Sequence, residues 1–248
     1  MKLKDRIAAA LKDSLAGLSL APAAILLSAG GLLLIQYFHF RRKYFSHYFG
    51  SFEWTGQGSL SPLYPFIFWQ LGTLLMLGII PFLIGRYLLK LPPQKMGFAL
   101  PKWNPRSKWM FGLFLGGMIP IVIGISFTKS YLAFYPECKI VTASVAAYLI
   151  YELGYLIYFM AWEFFYRGYI LFGLEPSIGR GNAALVSTML FAVMHFSKPE
   201  AEALGALVAG LALAALAFET GSFLPCAILH WLIAASMNVS AILQRALR

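Results

Sequence analysis

Seven apolar runs of membrane-spanning length follow one another along this chain, and no other feature limits its fold so sharply. They lie at about Ser19 to Tyr37, Tyr64 to Leu89, Trp109 to Phe127, Thr142 to Gly173, Asn182 to Phe196, Glu202 to Phe218 and Phe223 to Leu243. A helix needs roughly 20 apolar residues to cross a hydrocarbon core about 30 Å thick, and each lipid-facing segment must satisfy its own backbone polar groups. The expected fold is therefore all-α, a polytopic transmembrane helix bundle of about seven to eight spans. The run from Thr142 to Gly173 would be about 48 Å long as one straight helix, so it must tilt, kink or emerge at one end. Of the 248 residues only 12% are charged. A soluble domain carries about 25%, so a soluble globule is excluded and little chain is left for an extramembrane domain.

The formal charge of +10 comes from basic residues set between the apolar runs rather than along one polar face. That distribution anchors loops at an anionic bilayer surface and does not call for nucleic acid as a partner. Arg86, Lys90, Lys95, Lys102, Arg106 and Lys108 follow one another with no acidic residue between them, which marks that loop as cytoplasmic. The same count puts Arg41, Arg42 and Lys43 outside, against the positive-inside tendency, where His39 and His47 with their aromatic neighbours read as an interfacial belt. Lys2, Lys4, Arg6 and Lys12 precede the first run without a small-residue cleavage site, so that run reads as a retained span. Cys138 and Cys226 are the only cysteines and indicate no disulfide framework. Ala206, Gly210, Ala214 and Ala217 fall near one face of the sixth run, a surface on which helices pack closely in lipid.

An ionisable side chain at mid-membrane costs at least about 2.5 kcal/mol, so each one requires a partner or a task. Glu152, Glu163, Arg167, His195 and His230 stand out on this ground, with Asn238 and the loop-edge Glu202 beside them. Glu163 and Arg167 are spaced i,i+4 with the acid first, the better order for an intrahelical pair. Spacing leaves open whether the pair is structural or a catalytic carboxylate with its anchor. At about 100° per residue, Tyr148, Glu152, Tyr155, Phe159, Glu163 and Tyr166 share one stripe, and a stripe of phenols and carboxylates implies a hydrated or hydrogen-bonded interior. His195 and His230 close the fifth run and interrupt the last. Each alone reads as a structural histidine, but with an embedded glutamate they can converge to bind a metal or activate water. No His-Glu-x-x-His zinc-peptidase motif is present.

The order Glu163-x-x-x-Arg167-Gly168, then Phe191-x-x-x-His195, then His230 in the final run resembles the CPBP family of membrane-embedded proteases, which includes the CAAX prenyl endopeptidases and the Abi bacteriocin-immunity proteins. Lys95-Met96-Gly97-Phe98-Ala99-Leu100 is similar to the short glycine-containing loop before that family's core. The resemblance divides the chain into N-terminal spans and loops at 1–94 and a protease-like core at 95–248, one structural unit together. It implies a bacterial inner-membrane endopeptidase that cuts a membrane-associated peptide or protein. In that reading Glu163 takes a proton from water, Arg167 holds the carboxylate, His195 and His230 bind zinc or steady the oxyanion, and Asn238 assists. The chain departs from the family pattern at Trp162, where a first glutamate is usual, and at Ala234, where a polar residue follows the last histidine. Losing one oxyanion donor costs about 100- to 1000-fold in rate, so a non-catalytic relative that binds a protein or lipid partner is the alternative. A transporter with Glu152 and Glu163 as proton-relay groups is a further alternative, though no inverted repeat supports it.

Overall fold

The computed structural model describes residues 3–14, 19–50, 60–142 and 144–247. A short helix over Leu3–Ser14 precedes six helical runs that are long and apolar enough to cross a membrane. These are α1 (Leu20–His39), α2 (Ser61–Leu88), α3 (Pro105–Ser126), the 49-residue run Val145–Val193, α6 (Glu200–Thr220) and α7 (Leu224–Ala246). The long run holds α4 (Val145–Glu163), a π-wound segment Phe164–Phe172 and α5 (Gly173–Val193). This is an all-α integral membrane protein.

A straight helix of that length would extend for more than 70 Å, roughly twice the bilayer core. Gly179 prevents it: φ 77° and ψ 162° are open to glycine and to almost no other residue, and the chain doubles back there. The return is visible in Ser187, whose Oγ donates to the carbonyl of Tyr166 at 2.9 Å. With this run folded on itself, the six runs correspond to the seven apolar segments read from sequence.

Local chemistry sets the other boundaries. Asn104 caps α3 in a reciprocal box with Ser107, at 2.8 and 2.9 Å, and Pro105 occupies the first helical position where its missing N–H has no intrahelical role. Ser144 accepts the amide of Ala147 and starts α4, while Gly221, at φ 67°, ends α6 in the left-handed conformation. Ala206, Gly210, Ala214 and Ala217 are all buried, as a close-packing face requires. Leu27, Leu71, Leu113, Leu149 and Val208 are exposed, which in a bilayer is contact with lipid.

The N-terminal spans interlock with the rest of the bundle. Ser28 Oγ lies 2.7 Å from Tyr169 Oη, and Gln70 Nε2 donates to the carbonyl of Tyr151 at 3.2 Å. The loop read as family-like also packs inward: Met96 is fully buried and Ser222 Oγ donates to the Gly97 carbonyl at 3.2 Å. Arg41 lies over the Tyr37 ring at 4.8 Å, in keeping with an interfacial belt. Arg42 does not belong to that belt. It turns inward to a buried carboxylate, Glu137, at 2.6 Å.

Candidate active site

α4, the π segment, α5 and α7 bring four of the sequence candidates together: Glu163, Arg167, His195 and His230. Glu163 is the last residue of α4 and fully buried. Its Oε1 accepts Nδ1–H of His230, from α7, at 2.6 Å. Its Oε2 lies 3.0 Å from Arg167 Nη1, an ion pair off the line of an aligned hydrogen bond. Arg167 is itself enclosed: Nη2 donates to the Gly210 carbonyl at 3.4 Å, and the guanidinium lies 4.3 Å from the Phe191 ring centre. Gly210 lets α6 lie close to α5, since a Cβ there would stand 2.7 Å from Thr188 Cγ2. Burying one charge alone costs several kcal/mol, and here the acid, the guanidinium and the imidazole offset one another in a chain.

His195 follows the end of α5. Its Nδ1–H donates to the carbonyl of Phe191 at 2.8 Å, and its ring lies nearly parallel to that of His230, with 6.4 Å between centres and 18° between planes. Burial pushes its pKa down to about 4, despite the opposing bond to Phe191, so the ring is neutral near pH 7. Because a carbonyl and a carboxylate only accept, Nδ1 carries a proton on both histidines, and on the neutral His195 ring Nε2 is therefore a bare acceptor.

Both imidazoles line a cavity of about 560 Å³, with Trp162, Tyr158 and Phe159 from α4 in the same wall. Apolar residues of α3, including Phe114, Met118 and Ile125, form another part of the lining. A third part is charged. Glu137 takes Arg42 at 2.6 Å and Lys198 at 2.5 Å, and Glu202 accepts the Tyr135 hydroxyl at 2.6 Å with Lys198 3.9 Å away. Burial raises the Glu137 pKa, but the Lys198 and Arg42 charges outweigh it, so the carboxyl lies below its ordinary value. Burial lowers the Lys198 pKa, but the Glu137 carboxylate, with Tyr155 and Glu202 behind it, outweighs that cost and holds the ammonium above its ordinary value.

The remaining candidates lie elsewhere. Asn238 is buried, and its amide donates to Glu152 Oε1 at 2.8 Å while Trp231 Nε1 donates to Oε2 at 3.1 Å. The expected Asn238 helper is thus part of a separate node, because eight residues along α7 rotate it away from the face of His230. Glu163 lies behind His230 and is not among the residues lining the cavity, so the carboxylate meets the imidazole rather than a water in the cavity. Glu202 reaches the cavity, at its charged part. Cys226 Sγ donates to the Leu213 carbonyl at 3.2 Å and is not directed to His230. His39 bonds Tyr48 at 2.7 Å, exposed and outside the cavity lining.

Zinc was expected at His195 and His230. A catalytic zinc takes three protein ligands. Among the described residues no group of three or more His, Cys, Asp or Glu is placed to hold a metal, and both oxygens of Glu163 are engaged by His230 and Arg167. Two imidazole nitrogens do not make up the set, so zinc does not fit the donors as arranged.

Sequence reasoning missed Glu137 and its cations. An acid in a short loop carries no periodicity, and nothing local announces that Arg42 and Lys198 converge on it.

Residues 144–236 match the model of the family described as type II CAAX prenyl endopeptidase, Rce1-like. No curated protein and no solved structure matches the chain. The matched segment begins at the cap of α4, ends within α7, and encloses Glu163, Arg167, His195 and His230 while leaving out Asn238. It is narrower than the stretch from Lys95 to the C-terminus over which the resemblance was read. The chain therefore carries, over residues 144–236, an Rce1-like type II CAAX prenyl endopeptidase domain of the CPBP family, set in an integral membrane protein.

Proposed function

We propose that this protein is an intramembrane endopeptidase whose water-activating base is His230, oriented by Glu163 and Arg167. The observation that carries the reading is the 2.6 Å contact between His230 Nδ1 and Glu163 Oε1 at the wall of the cavity. A carboxylate on Nδ1 fixes the tautomer, leaves Nε2 free to take a proton, and stabilises the imidazolium that results. Arg167 holds the Glu163 carboxylate in place. His195, neutral and with Nε2 unprotonated, supplies a second acceptor that aligns the attacking water.

In the reaction a water oxygen bonds to the carbonyl carbon of the scissile peptide as its proton passes to His230 Nε2. The C–N bond then breaks, and the same proton is delivered to the departing amine. The substrate is a membrane-associated peptide or protein, and the apolar wall from α3 favours one with a lipidic or strongly apolar segment. The resemblance to bacterial members supports the inner membrane as its location.

The test uses purified protein in liposomes with a panel of internally quenched peptides, one ending in a prenylated CAAX sequence and others with an unmodified apolar anchor. Cleavage that falls by about 100-fold or more in His230→Ala and Glu163→Gln is expected, the usual worth of a positioned general base. Turnover that survives both changes would sink the assignment. Trp162 and Ala234, where the family carries polar residues, favour a second reading as a non-catalytic binder of a membrane partner. That reading expects the wild type to retain peptides without cutting them.

A further inference from the structure

The charged part of the cavity does not balance. Arg41, Arg42 and Lys198 bring three cations to the lining, and Glu137 and Glu202 bring two carboxylates. Glu137 is fully used, with Oε2 on Arg42 at 2.6 Å and Oε1 on Lys198 at 2.5 Å. Glu202 accepts the Tyr135 hydroxyl at 2.6 Å, and its other oxygen lies 3.9 Å from Lys198. Arg41 is the cation left over. Among the described residues its guanidinium has no carboxylate within ion-pair distance and no oxygen to donate to; its neighbour is the Tyr37 ring, 4.8 Å away and also in the lining.

Three connections converge at this end of the bundle. Arg41 lies two residues past α1, Glu137 between α3 and α4, and Lys198 between α5 and α6. The Arg41 charge is felt at Glu137: burial raises that carboxyl, and Lys198, Arg42 and then Arg41 draw it below its ordinary value. The histidine wall adjoins the same end, because the amide of Lys198 donates to the carbonyl of His195 at 2.9 Å. A peptide lying against the two imidazoles can therefore extend toward a half-buried guanidinium that has no counter-ion. A guanidinium keeps its charge at any working pH and presents five N–H groups in a planar fork that matches a carboxylate. Apolar walls around it strengthen the attraction, and a cationic group placed there would meet a surplus of its own sign.

We propose that Arg41 binds a carboxylate of the substrate and so selects peptides that carry a negative charge at the charged end of the cavity, an inference that rests on the endopeptidase reading. The C-terminal carboxylate and an acidic side chain offer the same chemistry. Arg41 touches neither the water nor the scissile bond, so it determines specificity and takes no part in the proton transfers.

The test uses the full chain in zwitterionic liposomes and three quenched peptides that share one apolar anchor. One has an amidated C-terminus and only neutral side chains, the second a free C-terminal carboxylate, the third an amidated C-terminus and one glutamate. The wild type should prefer one acidic peptide over the neutral one by about 10-fold in kcat/KM, mostly through KM, the worth of a charge-assisted hydrogen bond at a partly open site. Which of the two is preferred identifies the source of the carboxylate. Added salt should weaken the preference, Arg41→Gln should bring the ratio to about one, and Arg41→Lys should restore part of it. A wild type that treats the three peptides alike would overturn the proposal, as would a preference that survives Arg41→Gln. So would a variant that loses retention of phosphatidylglycerol while keeping the peptide ratio, since the anion would then be a lipid phosphate. Binding of the same peptides, followed by fluorescence anisotropy, separates the two readings. Preferential binding of an acidic peptide that Arg41→Gln abolishes, with no cleavage by the wild type, would keep the Arg41 contact and overturn the endopeptidase reading.

Discussion

Glu152 and Glu163 are two carboxylates on one helix, both buried, both in the same stripe, and the structure gives them opposite kinds of company. Glu152 accepts from two neutral donors, the Asn238 amide and the Trp231 indole, and among the described residues has no cation beside it. Glu163 lies between a guanidinium and an imidazole, and that imidazole faces the cavity. A carboxylate among neutral donors ties α4 to α7 and stops there. One set between an arginine and a histidine transmits its charge to a group that meets substrate. Embedded acids in a membrane protein are therefore sorted by their partners, not by their depth or their spacing.

The comparison breaks most visibly in activity. Glu163→Gln is expected to lower cleavage by about 100-fold or more, whereas Glu152→Gln should leave it within about threefold, because only the first orients the base. Equal losses in a peptide-cleavage assay would show that both nodes serve the chemistry. Stability gives the next contrast. Arg167→Met leaves Glu163 buried without its cation and should destabilise by about 3–5 kcal/mol in reversible unfolding from lipid or detergent. Glu152→Gln keeps one acceptor oxygen for two donors, so a loss of about 1–2 kcal/mol is expected in the same measurement. A penalty at Glu152 as large as that at Arg167 would erase the distinction between the nodes.

The smallest effect concerns Glu137, outside the spanning runs, which resembles Glu163 in having cations as partners. Its pKa is lowered in the folded protein, so it adds stability above the ordinary carboxylate value of 4.5 and loses it as pH falls through the folded value. Glu137→Gln should therefore lower the melting temperature at neutral pH and converge with the wild type in acid. Parallel melting curves from pH 7 to 3 would show that Arg42 and Lys198 do not depend on this carboxylate.

Much of this was legible in advance. The apolar runs, the excess length of Thr142 to Gly173 and the i,i+4 order of Glu163 and Arg167 follow from length and periodicity. Convergence of Glu163 with His230 and His195, which lie on different helices, was raised by the cost of burying each polar group and made specific by the resemblance. The role of each was not legible. Asn238 was expected beside the histidines and meets Glu152; Glu163 was expected at the water and stands behind His230; Arg42 was expected at the interface and binds Glu137.

What the sequence alone determined is the solvent of this protein and the inventory of polar groups it carries into that solvent. Hydrophobic transfer acts residue by residue and leaves its record in composition, and helical periodicity assigns each group to a face. Only the tertiary structure decided which faces meet. The turn at Gly179, the π winding over Phe164–Phe172 and the close approach at Gly210 set the rotation and depth of neighbouring helices. A hydrogen bond falls away within about an ångström of its best length, so those rotations choose whether an imidazole finds a carboxylate.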